Sequence, residues 1–134
     1  MELRLPAHPG HIRHGRQWVR RQAVACGVHD HILRVLELLT SEVVTNAVKY
    51  GGGREVRVRV AVEDDVVRVG VRDTNPEPPA LLDPGEVELG GRGMHLVRSL
   101  AQAWGVVEHA EDGKSVWFAL ALAPEGAEAG TRAG

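Results

Sequence analysis

The 134 residues, 43% of them hydrophobic and 25% charged, suit one globular domain around a single core and are too few for two ordinary domains. With 16 basic and 18 acidic residues the formal net charge is −2, which builds in no global attraction to nucleic acid or anionic lipid, and 4% aromatic content leaves little material for a base-stacking platform. No run approaches the ~20 apolar residues that a membrane helix needs, residues 1–9 lack the apolar core of a secretory signal, and the single Cys26 supports neither an internal disulfide nor a thiolate zinc site, so a cytoplasmic chain with Cys26 as a small buried residue is expected.

In chain order, residues 2–6 alternate polar and apolar and suit a short edge strand closed by Pro6. Ile12, Trp18, Val19, Gln22 and Ala23 share a helical face over residues 11–26, with Gly27 as the stop. A stronger helix is predicted over 31–50, with Asp30 capping its start, Lys49 in the last turn and Gly51 as a left-handed cap. Its apolar stripe is Ile32, Val35, Leu36, Leu39, Val43, Ala47 and Val48, which leaves an adjoining face for Glu42 and Asn46. Between 54 and 73 the period changes to two. Val56, Val58, Val60 and Val62, then Val67, Val69 and Val71 after the Glu63-Asp64-Asp65 turn, predict a hairpin with one apolar face and a solvated arginine-rich face.

Residues 74–89 carry Pro76, Pro78, Pro79 and Pro84 without a period, and read as a long loop of the kind that forms lids or binding segments. In it, Leu81 and Leu82 either anchor the loop or meet a ligand or partner. A third helix over 93–103 and a hairpin of strands 106–110 and 115–122, turning at Asp112-Gly113, complete a domain of residues 1–122. The tail 123–134 is small and polar and is expected to be disordered.

Two phosphate-loop readings fail. Gly113-Lys114-Ser115 ends like one, but the required earlier glycine would be Glu108 and the segment joins two strands; Gly91-Arg92-Gly93 opens like a dinucleotide fingerprint whose third glycine would be Leu96. Three separated segments remain. Glu42 and Asn46 stand one helical turn apart on one face, with Lys49 nearby, so a base and a hard-cation ligand are placed together. Asp73 ends a strand where a long loop begins, and its carboxylate can accept from an exocyclic amine. Gly90-Gly91-Arg92-Gly93 offers side-chain-free amides at a helix start, a cradle for phosphate. Each has a plainer reading taken singly: solvated helix residues, an aspartate bonding its own turn, and glycines that permit tight helix entry. His8, His11, His14, His29 and His31 lack an acidic or cysteine partner and read as exposed, and Trp18, Trp104 and Trp117 read as core or sheet-packing residues.

Glu42-Val43-Val44-Thr45-Asn46-Ala47-Val48-Lys49-Tyr50-Gly51 resembles the N box of the GHKL superfamily of ATP-binding proteins, Val71-Arg72-Asp73 the start of its G1 box, and Gly91-Arg92-Gly93-Met94-His95-Leu96-Val97 its G2 box. Within it the chain is most similar to the anti-sigma-factor serine/threonine kinase branch of bacterial regulators, a likeness that Trp104-Gly105-Val106 and residues 113–118 extend over about residues 3–122. The resemblance implies that Asn46 binds Mg²⁺ bridging the phosphates of ATP, that Glu42 is the general base, and that Asp73 binds the adenine amine. It further implies that Gly91, Arg92 and Gly93 line the phosphates, that Lys49 adds charge beside them, and that Ser115 joins the water network of the aspartate. After Asp73 the usual glycines are replaced by Thr74-Asn75-Pro76-Glu77-Pro78, which stiffens the adenine-side turn.

The expected fold is therefore α+β, a two-layer sandwich of a mixed, largely antiparallel sheet covered on one face by three helices. The expected function is an ATP-dependent kinase and anti-sigma factor, with an anti-anti-sigma protein as its substrate, a sigma factor as its second partner, a possible homodimer, and neither nucleic acid nor membrane bound directly. The alternative is a nucleotide-gated binding module without phosphoryl transfer. The ATP-binding half of a histidine kinase shares the boxes, but this sequence carries no recognisable helical hairpin for dimerisation and phosphoacceptance.

Overall fold

The computed structural model describes residues 1–74, 94–109 and 113–122. The elements are β1 (Glu2–Pro6), a 3₁₀ turn (Pro9–His11), α1 (Ile12–Ala25), α2 (Asp30–Tyr50), β2 (Glu55–Glu63), β3 (Val66–Asp73), α3 (His95–Leu100), β4 (Ala103–Glu108) and β5 (Lys114–Ala121). The strands form one five-stranded sheet in the order β1-β2-β3-β5-β4. All four described pairings are antiparallel, so the sheet expected to be mixed is antiparallel throughout the described residues. The two-layer α+β sandwich is as expected, with three described helices.

Alternation builds the sheet's inner face. Val56, Val58 and Val60 of β2, Val67, Val69 and Val71 of β3, and Val116, Phe118 and Leu120 of β5 are buried against Leu33, Leu36, Leu39, Val43 and Val44 of α2 and Val19 and Ala23 of α1. Each such side chain withdraws apolar surface from water at roughly 25 cal/mol per Å², and this burial is the main force holding the helices to the sheet. The β2–β3 connection is a two-residue turn in which Asp64 and Asp65 have φ of 55° and 60°, the conformation that matches the right-handed twist of a hairpin. On the outer face Arg57 pairs with Glu55 at 2.9 Å, Arg4 and Arg59 both reach Glu2, and the Arg68 guanidinium lies 5.3 Å from the Trp117 ring. Trp18 and Trp104 pack against the core as partly buried residues.

The structure corrects several local expectations. The third helix ends at Leu100 rather than at 103, because Ala101 turns extended (φ −77°, ψ 144°) and Ala103 and Trp104 already pair with Ala119 and Phe118 in β4. Cys26 is exposed, since it sits past the last turn of α1 and points off the buried face. Gly51 is right-handed (φ −74°), and the left-handed residue after α2 is Gly52 at φ 80°. Asp30 does not cap α2 but opens it at φ 59°, its carboxylate 2.7 Å from His29 Nδ1. His8 accepts from the Gly10 amide at 3.0 Å, and His11 is half-buried where exposure was expected. The predicted loop beyond Thr74, with Leu81 and Leu82, the glycine segment 90–93, Asp112 and the tail 123–134 all lie outside the described residues.

Candidate functional site

Helix α2 carries the first part of the site. Its buried side is wider than the predicted stripe and takes in Leu33, Val44, Thr40 and Asn46, with Asn46 only 3% exposed. The breadth follows from two neighbours: α1 runs along α2 with its Gly15 beside Val44, and α3 packs on another flank. Glu42 and Asn46 stand on that flank. Glu42 Oε2 accepts from the Val97 amide in the first turn of α3 at 3.1 Å, so the carboxylate satisfies one of the amides that a helix start leaves without an internal partner. Burial holds the Glu42 carboxyl above its ordinary value, an effect opposed by the Val97 and Leu96 amides and by His95. A base moved upward in this way sits closer to neutral pH, where general-base chemistry is most effective.

One turn on, Asn46 Nδ2 is buried without a hydrogen-bond partner among the described residues. Leaving a buried amide unsatisfied costs about 1–3 kcal/mol, which a ligand that bonds it would recover. A half-turn of the carboxamide exchanges its nitrogen and oxygen, so the same place can serve a phosphate oxygen or a hard cation. Mg²⁺ keeps most of its waters and takes few protein oxygens, and a lone amide oxygen fits that requirement. Lys49 is exposed in the last turn of the helix.

The second part lies at the end of the central strand β3, beneath the end of α2. Asp73 continues the inward parity of Val67, Val69 and Val71, so it is the residue at which the apolar face of β3 ends. Its side chain is 4% exposed, and Oδ2 receives Lys114 Nζ at 3.1 Å. Two glycines close on it. A Cβ at Gly51 would lie 2.6 Å from Asp73 Cβ, and one at Gly113, which has φ +89°, would collide with the Asp73 carbonyl oxygen. Neither place tolerates a side chain, and at Gly113 the left-handed backbone adds a second reason.

Glu42 and Asn46 stand one turn apart on α2, and the structure gives Asp73 a partner that sequence reading passed over. Ser115, which the resemblance assigns to the water network of the aspartate, is opposite Arg72, with its hydroxyl 2.7 Å from His109 Nε2. One step further along the ladder, on the inward parity of Val116, Phe118 and Leu120, Lys114 faces Asp73 instead. The signal was present in the alternation of β5, but only the β3–β5 register turns it into a contact. Gly91, Arg92 and Gly93 lie outside the described residues.

Among the described residues no helix is long and apolar enough to cross a membrane. The architecture is shared with solved structures: a chain described as the RsbU and RsbW domains of Rv1364c from Mycobacterium tuberculosis superposes with a TM-score of 0.64 at 20% identity, over 91% of this chain and 32% of that one. This chain thus spans about a third of that neighbour's length. A comparison with curated proteins finds no match. The pattern of a histidine kinase-like ATPase domain matches residues 5–120, from β1 into β5 and across every element that carries the site, and the chain belongs to that family.

Proposed function

We propose that the chain is an ATP-dependent protein serine/threonine kinase of the anti-sigma-factor branch, acting in the cytoplasm on an anti-anti-sigma protein and binding a sigma factor. The observation that carries the reading is the pairing on one flank of α2 of a carboxylate with a raised pKa and a buried, unsatisfied carboxamide. Membership of the ATPase family supports nucleotide binding, and the box-by-box likeness to the anti-sigma kinases supports the substrate class.

Bound MgATP supplies the transferable phosphoryl group and the charge that neutralises it during transfer. The chain's own residues have distinct tasks. Asn46 holds the metal through its amide oxygen. Asp73 accepts from the exocyclic amine of the base. Glu42, held in place by the Val97 amide, takes the proton of the acceptor hydroxyl at its carboxylate. Lys49 contributes positive charge near the phosphates, and the glycines 91 and 93 with Arg92 offer the phosphate cradle.

A second reading, a nucleotide-gated binding module, is favoured by the Glu42 to Val97 hydrogen bond, which gives the carboxylate a structural task independent of proton transfer. Calorimetric titration with ATP, with and without Mg²⁺, followed by incubation of a pulled-down complex with ATP and phosphoprotein mass analysis, separates the two. A kinase binds MgATP and phosphorylates a co-purified protein. A gated module binds ATP and changes partner affinity without transfer, and absence of ATP binding at millimolar nucleotide rejects both.

A further inference from the structure

A lysine on the inner face of an apolar strand is out of place unless something holds it there. The inward positions of β5 run Lys114, Val116, Phe118 and Leu120, and the three apolar members are buried. The Lys114 side chain is 16% exposed, and its ammonium sits 3.1 Å from a carboxylate that is itself 4% exposed. Ion pairs withdrawn from water recover little or none of their desolvation cost, so core stability does not account for this one. An apolar residue continuing the Val116, Phe118, Leu120 series would pack the position equally well.

Backbone also crowds the pair: a Cβ at Gly51 or at Gly113 would collide with Asp73, so both positions stay glycine while the carboxylate and the ammonium stand side by side. An acceptor beside a donor complements a flat heterocycle that presents a donor beside an acceptor. The edge of adenine does so, with its N6 amine next to N1, whereas guanine presents the reverse order, O6 followed by N1–H. A carboxylate accepts from several donors at once, so Asp73 can keep the ammonium while receiving an amine.

On the reading of this site as a nucleotide site, on which the inference rests, we infer that Lys114 is a specificity-determining residue: its ammonium donates to the adenine N1 while Asp73 accepts from N6. The base is then read by two protein groups in a fixed order rather than by the aspartate alone.

The test is a binding cycle with ATP and 1-deaza-ATP, which lacks the N1 acceptor, on wild type and Lys114→Met. Wild type should bind 1-deaza-ATP about tenfold more weakly than ATP, and Lys114→Met should weaken ATP by about the same factor while leaving 1-deaza-ATP unchanged. Equal weakening of both nucleotides assigns Lys114 a merely structural role and overturns the inference, as does unchanged or tighter ATP binding by the variant. Should Lys114→Met not fold, wild type decides alone: the ¹⁵N resonance of Lys114 Nζ shifts on adding ATP and not on adding 1-deaza-ATP, and identical shifts overturn the inference. Wild type that binds no nucleotide removes the nucleotide reading and this inference together, whereas ATP binding indifferent to Lys114 and to N1 removes this inference only.

Discussion

At the α2–α3 end of the site a half-buried carboxylate accepts from a backbone amide, and one turn on a buried Asn46 nitrogen has no partner among the described residues; at the β3–β5 end a carboxylate is flanked by an ammonium and two glycines. The first end carries unmet hydrogen-bonding capacity and a carboxyl displaced from its ordinary value. The second is an ion pair packed against two glycine backbones. The contrast is between an end with hydrogen-bonding capacity left for a ligand and an end that is rigid before one arrives, the division that a pre-organised site would use.

Four substitutions or measurements bear on that contrast, beginning with the largest effect. Glu42→Gln keeps the shape and the acceptor for the Val97 amide but removes the base, so phosphoryl transfer to a partner should fall by about 10²–10⁴-fold with ATP affinity retained. Undiminished transfer in a single-turnover assay would take Glu42 out of the role of base. Gly113→Ala should cost about 2–4 kcal/mol in urea denaturation, because it combines a left-handed backbone with a Cβ driven into the Asp73 carbonyl. A loss below about 1 kcal/mol would show that the β3–β5 end yields, and the claimed rigidity would be lost.

Asn46→Ala should separate binding from stability. It removes an amide whose nitrogen is buried and unsatisfied, so the thermal midpoint without nucleotide should hold or rise while MgATP binding weakens about tenfold or more. A lowered midpoint with unchanged MgATP affinity would make Asn46 an ordinary packing residue. The smallest effect is in pH. Because the Glu42 carboxyl is raised in the folded state, its contribution to stability is present in full below the ordinary value of 4.5 and is lost as pH rises through the folded value. Glu42→Gln should therefore flatten the dependence of stability on pH in that window. Parallel curves for variant and wild type would show that burial does not perturb this carboxyl.

Legibility in the sequence followed the distance over which each feature is encoded. The β2–β3 hairpin is local, written in alternating valines and a two-residue aspartate turn, and both its strands and its turn are where periodicity puts them. Glu42 and Asn46 were placed on one face by helical spacing alone. The burial of Asn46 was not legible, because it depends on what the tertiary fold packs beside α2, which helical spacing alone does not give. Lys114 was passed over for the same reason: its partner is set by a ladder between distant segments, and a one-residue difference in register moves a strand residue to the opposite face. Cys26 shows the weakness of residue-type averages, which make a lone cysteine buried, against the geometry of one helix end, which leaves this one in water.

The position of β5 between β3 and β4 has a consequence for the order in which the chain assembles. The β2–β3 hairpin can form from neighbouring residues, yet the β3–β5 ladder, running from Arg72 opposite Ser115 to Val66 opposite Ala121, closes only after the intervening chain has been gathered in. Contacts of such sequence separation carry a large closure entropy and slow the search for the native state. Until β5 arrives, β3 is a valine-rich margin with unmet backbone donors and acceptors, open to pairing with another molecule. Arg68 and Arg72 interrupt that margin with charge, which guards a nascent chain against aggregation during the interval before β5 is made.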